Sequence, residues 1–132
     1  MSIIITDLRS KILRMKKDKY KYKSIWLVFV NIVPEPNYQF DDLIDNEAND
    51  LQKYVGAWAN ILVKAQTIDE ALKIAPVGLR ELKFEIEFVE KIENFQSLVD
   101  YNEANTEIIK EADWLLKSKY KFKISDRLFP YL

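Results

Sequence analysis

The stretch "YVGAWANILVKA", residues 54–65, decides the fold. Ala57, Ala59, Ile61 and Val63 fall on one side of it, and Trp58, Asn60, Leu62 and Lys64 on the other. Successive side chains of an extended strand point to opposite faces, so this period of two reads as a β-strand. Its alanine-rich side lets a helix approach the sheet closely. Gly56, inside the strand, predicts a bulge.

Downstream, "TIDEALKIAPVGLREL" (67–82) opens with Thr67 and Glu70, the spacing of a capping box in which each side chain satisfies a free backbone N–H. Ile68, Leu72, Ala75 and Leu79 follow at helical spacing. Pro76 predicts a kink or a restart, and Gly78 a cap or turn near the helix end. "KFEIEFVEKIEN" (83–94) returns to period two, with Phe84, Ile86 and Phe88 inward, Glu85 and Glu87 outward, and a turn at Asn94. "FQSLVDY" (95–101) reads as a further strand. "NTEIIKEADWLLKSK" (105–119) is an amphipathic helix on Ile108, Ile109, Ala112, Leu115 and Leu116, capped by Asn105 or Thr106. "YKFKI" (120–124) is a closing strand, and "SDRLFPYL" an apolar tail.

From Tyr54 onward the order is therefore strand, helix, strand, strand, helix, strand. This is the ferredoxin-like order of an α+β fold: a small antiparallel sheet with two helices on one face. If 95–101 is a loop, the alternative sheet contains Ile25–Val33, Tyr54–Ala65, Phe84–Ile92 and Tyr120–Ile124. Upstream, Ile25–Val33 is apolar on both alternating sides, which predicts an added strand covered on both faces and ended by Pro34 and Pro36. "TDLRSKILRMKK" (6–17) predicts an N-terminal helix with Leu8, Ile12 and Met15 as its apolar stripe. A length of 132 residues fits one domain, 1–132, with 1–23 a basic helix-and-strand extension and 34–53 an acidic loop.

Two octamers repeat one theme: "KDKYKYKS" from Lys17 and "KSKYKFKI" from Lys117. Alternation sends their rings to one face and their lysines to the other. Tyr120, Phe122 and Ile124 would then serve the core while Lys119, Lys121 and Lys123 face water, and Tyr20 and Tyr22 would behave likewise. A nucleic-acid platform needs rings exposed beside cations, which this separation opposes.

Composition narrows the chemistry. A chain without histidine or cysteine has no Ser-His-Asp triad, no histidine- or thiolate-ligated metal and no disulfide. Only two glycines leave hardly a loop able to cradle phosphate. The acidic segment 35–52 lacks the spacing and the glycine of an EF-hand, so neither a metal nor a cofactor is expected. No signal segment or membrane span is legible, which predicts a cytoplasmic protein without a membrane partner.

The expectation that remains is a non-catalytic protein-binding module. In concrete form it is a bacterial inhibitor or immunity-type protein whose acidic loop blocks a basic site on another protein. Its candidate contacts are Glu35, Asp41, Asp42, Asp45, Glu47 and Asp50, with Trp58 and Lys64 as anchors. The alternative is nucleic-acid binding through Arg9, Lys11, Arg14, Lys16, Lys17 and Lys19, although a formal charge of −1 gives the whole molecule no field to draw a polyanion. A second alternative is a small enzyme built on carboxylates such as Glu85 with Glu87 or Asp41 with Asp45.

Overall fold

The computed structural model describes residues 20–44 and 53–132. The described elements are β1 (Ile25–Pro34), α1 (Phe40–Leu43), β2 (Gly56–Lys64), α2 (Ile68–Glu81), β3 (Phe84–Asn94), α3 (Phe95–Asp100), α4 (Thr106–Lys117) and β4 (Phe122–Tyr131). The four strands make one antiparallel sheet in the order β3-β1-β2-β4. This is the strand set of the alternative sheet. The segment expected as an added strand, β1, is central and pairs on both sides, as its two-sided apolar pattern requires.

The ferredoxin-like order is not what forms, because residues 95–101 do not make a strand. Phe95, Leu98 and Val99 have helical spacing, and Asn94 Oδ1 accepts from the Gln96 N–H to start α3. Gln96 then binds in two directions: its Oε1 accepts from the Tyr22 N–H at 2.8 Å and its Nε2 donates to Asp100 at 2.9 Å. The expected N-terminal helix lies outside the described residues.

The helices also do not share a face. On one side α2 sets Ala71, Ala75 and Leu79 against Val28, Val30 and Ile32 of β1 and Ala57, Ala59, Ile61 and Val63 of β2, joined by Phe40 of α1. On the other side α3 and α4 bury Phe95, Leu98, Ala112 and Leu115 against Ile25 and Leu62, with Tyr22. The sheet is thus the middle of three layers. Leu62, which alternation places opposite Ile61, needs that third layer to be covered. Among the described residues no helix is long and apolar enough to cross a membrane.

The helix α2 begins as its sequence predicts. Thr67 Oγ1 accepts from the Glu70 N–H at 3.1 Å, while Glu70 reaches back to the Gln66 N–H at 3.2 Å. Pro76 does not interrupt it, since buried Ala75 and Leu79 hold the turns on either side against the sheet. Nor is Gly78 a cap. It sits inside the helix, where a methyl group would lie 2.5 Å from Phe122 Cδ1, so glycine is what lets α2 rest on the Phe122 ring. Gly78→Ala should therefore destabilise the fold by about 1–2 kcal/mol, overpacking outweighing the gain of about 1 kcal/mol in helix propensity. In a Phe122→Leu background the same change should become neutral or favourable. Chemical denaturation of the four proteins measures that coupling.

Candidate protein-binding face

The layer made by α3 and α4 covers only half of its side of the sheet. It lies over Ile25, Leu27 and Leu62, whereas further along the same face no helix among the described residues packs on Phe29, Asn31 or Trp58. Each strand brings an aromatic ring to this open half. Trp58 pairs across the ladder with Phe129 of β4 and with Asn31 of β1. Its indole stacks on Phe29 at 5.4 Å between centroids and meets the edge of Phe88 at 6.4 Å. Phe88 and Phe129 are 55% and 47% exposed, which is costly for rings of that size unless something else covers them.

Phe88 is here because of an irregularity. Strict alternation would put it inward with Phe84 and Ile86. Instead Ile32 pairs with Ile86 and Asn31 with Phe88, so Glu87 is an extra residue that reverses the phase of the strand. A second extra residue, Glu90, restores it: Val30 pairs with Val89, Phe29 with Lys91 and Val28 with Ile92. Between the two bulges β3 turns a ring outward that the pattern assigned to the core.

At the far end of this face Tyr131 crosses β2 to donate to Asn31 Oδ1 at 2.7 Å. A Cβ on Gly56 would meet Tyr131 Oη at 2.5 Å, so this glycine makes room for a close crossing. Phe29, Trp58, Glu90 and Phe129 enclose an open recess of about 450 Å³. Beside it, a smaller one of about 210 Å³ runs under the α3–α4 turn, with Asn60, Phe129, Glu103 and Glu107 on its wall.

The rim is acidic. Glu90 of β3 walls the larger recess, and Glu103 of the α3–α4 turn and Glu107 at the start of α4 wall the smaller one. The two nearby cations are already engaged, Lys91 with Glu93 at 3.9 Å and Arg127 with Glu107 at 3.7 Å. Glu85 and Glu87 stand on the edge strand opposite β4, so they do not neutralise its lysines.

Of the residues singled out from sequence, Trp58 is at the centre of this face. Lys64 is not with it: its Nζ donates to Ser118 O at 2.7 Å and ties β2 to the end of α4. Glu35, Asp41 and Asp42 lie toward the other side of the sheet, where Phe40 anchors α1 in the α2 layer. Asp45, Glu47 and Asp50, like Arg9, Lys11, Arg14, Lys16, Lys17 and Lys19, fall outside the described residues. Among the described residues no group of three or more acidic side chains is placed to hold a metal ion. Sequence reading missed Phe29, Phe88 and Phe129, because each stood in a run that looked fully buried or was shifted by a bulge.

The two lysine–aromatic runs also differ from expectation. Residues 20–24 form a turn rather than a strand, so Tyr20 is exposed while Tyr22 is buried. β4 begins only at Phe122, which leaves Tyr120 in the connection after α4, 54% exposed and stacked on Trp114. Phe122 does pack inward, and Lys123 turns to Glu111 on α4. Trp26 serves the core, donating from Nε1 to Ala65 O at 3.0 Å.

Tyr22 and Lys21 share one acceptor. The Tyr22 hydroxyl donates to Asp113 Oδ1 at 2.7 Å and Lys21 Nζ lies 3.0 Å from the same atom. Burial opposes ionisation of Asp113, but these two donors outweigh it and hold its pKa below the ordinary 3.8. Lys21 is raised chiefly by its bond to Asp113, and Tyr22 by burial and then by the same bond. The depressed carboxylate contributes stability above about pH 4 and loses it as pH falls through its folded value; the raised Lys21 and Tyr22 contribute below about pH 10 and lose it as pH rises through theirs. The contribution of this cluster to the thermal midpoint should be constant between those limits. Asp113→Asn should lower the plateau and flatten the acid limb.

Compared with known proteins, the chain matches no family model, no curated protein and no solved structure.

Proposed function

We propose that the chain is a non-catalytic protein-binding module whose contact surface is the open aromatic half of the sheet. Its partner is a basic polypeptide segment carrying apolar side chains. One observation carries this reading: Phe29, Trp58, Phe88 and Phe129, one from each strand, cluster where no helix among the described residues lies over them. Large rings at the centre of a surface, ringed by polar groups, are the usual anchors of interfaces.

The rim chooses the class of partner. A polyanion brought to these rings would meet Glu90 and Glu103, neither of which has an ion pair among the described residues. A lysine- or arginine-bearing segment would be attracted to them, and its apolar side chains would remove the rings from water. A second copy of this face would oppose like charges. An inhibitor or immunity-type protein that covers a basic site on its partner is one form of such a module, with the blocking surface on this face rather than in segment 35–50.

Titration of the full chain with a synthetic peptide of alternating leucine and lysine tests the reading. It should bind, and less tightly as salt rises, while the matching leucine–glutamate peptide should not. Equal binding of both peptides, or of neither, overturns the reading. So does a dimer in sedimentation that Trp58→Ser dissociates. If Asp41→Asn with Asp42→Asn abolishes binding and Trp58→Ser does not, the site belongs to the acidic segment.

A further inference from the structure

The two octamers, a hundred residues apart in sequence, meet on consecutive residues of α4. The first delivers Lys21 and Tyr22 to Asp113; the second lays Tyr120 on Trp114, with rings 5.8 Å apart and 12° from parallel. Trp114 is 48% exposed, so the stacked pair presents a substantial aromatic surface to water. Its surroundings are cationic. Lys110 lies one turn before Trp114 on the helix and Lys117 one turn after, and Lys119 and Lys121 flank Tyr120. All four are exposed and form no ion pair among the described residues. The carboxylates of this part of α4 are already used: Asp113 holds Lys21 and Tyr22, and Glu111 turns away to Lys123 and Ser125.

We propose that this shelf is a binding site for single-stranded nucleic acid, with bases stacking on Trp114 and Tyr120 and phosphates facing the lysines. Rings exposed beside cations are what such ligands require, and every base has a π-face to offer. A duplex buries those faces. An acidic polypeptide would use the lysines but gain little from two parallel rings. The shelf has the opposite sign to the open sheet face, so it does not rest on the protein-binding reading and the two sites do not compete for a ligand.

The test uses the full chain and a fluorescein-labelled oligothymidylate of about 12 nucleotides, followed by fluorescence anisotropy. Binding at low salt should weaken as salt rises. Trp114→Ser and Tyr120→Ser should each cost about tenfold in affinity, as loss of one stacked base does. Lys119→Ala with Lys121→Ala should reduce the slope of log affinity against log salt by about 1.4, two single-strand contacts' worth. Trp58→Ser should change nothing. Thermal melts check that each variant folds, and Tyr120→Ser, in a connecting segment, carries the test if Trp114→Ser does not. No anisotropy change at low salt overturns the proposal. So does equal affinity for a duplex of the same length, or displacement by polyglutamate with Trp114 and Tyr120 irrelevant. Binding lost only with Lys16, Lys17 and Lys19 to Ala overturns it as well.

Discussion

Trp58→Ser should weaken binding of the leucine–lysine peptide by about 30-fold, the effect of truncating an interface anchor worth about 2 kcal/mol. The substitution should leave the fold intact, because Trp58 lies on the sheet face opposite Ala57 and Ala59 and touches other rings of that face, Phe29 and Phe88. Phe129→Ser should act in the same direction, since Phe129 is its ladder partner and walls both recesses. Glu90→Lys, which leaves every ring in place, should reduce affinity less and make it nearly independent of salt. This separates the two contributions: apolar burial sets the strength and the rim sets the sign of the partner. Isothermal titration at two salt concentrations reads both. A Trp58→Ser protein that binds normally sinks the aromatic anchor.

Glu111→Ala should be the most damaging single change on the α4 side, at about 3 kcal/mol, or a fall of about 10 °C in thermal midpoint. The carboxylate accepts from Lys123 Nζ at 3.0 Å, Ser125 Oγ at 2.9 Å and the Asp126 N–H at 2.8 Å, so it fastens α4 to β4 at three points. Removing it leaves a mostly buried ammonium with only exposed Asp126 and the Ile124 carbonyl, and takes the acceptor from a buried hydroxyl. Burial pulls the Lys123 pKa down, but its bonds to Glu111 and Asp126 more than compensate and raise it above 10.5. The raised lysine contributes stability below about pH 10 and loses it as alkali deprotonates it. Glu111→Gln keeps an acceptor and should cost about 1 kcal/mol. Lys123→Met combined with Glu111→Ala should cost less than the sum of the two, because neither leaves a partner orphaned.

How far the letters alone reach depends on what each residue answers to. The alternation of β2, the Thr67 cap of α2 and the Asn105 cap of α4 are local events, and all three form as read. The two-sided apolar run of β1 correctly announced a strand with layers above and below. Phe88 could not be placed that way, because its face depends on Glu87 slipping out of register against Ile32 and Asn31, residues far away in sequence. Residues 95–101 carry both periodicities weakly, and Tyr22, through its bond to Gln96, favours the helical one. The open face is less legible still. Phe29 looks like core in a run that is buried elsewhere, yet it is only half-buried, because among the described residues α4 stops short of it. Gly78 reads as punctuation until Phe122 is seen beneath it.

The interrupted spacing of β3 has a consequence for how anything can be recognised. A guest strand joining the outside of β3 would need an unbroken row of main-chain donors and acceptors, and Glu87 and Glu90 break that row twice while adding charge. The opposite border, β4, is broken by its own slip between Ile124 and Leu128 and carries Pro130, which has no N–H to give. Backbone zippering, which accepts almost any sequence, is thus denied on both flanks. A polypeptide that meets this sheet must be selected by its side chains.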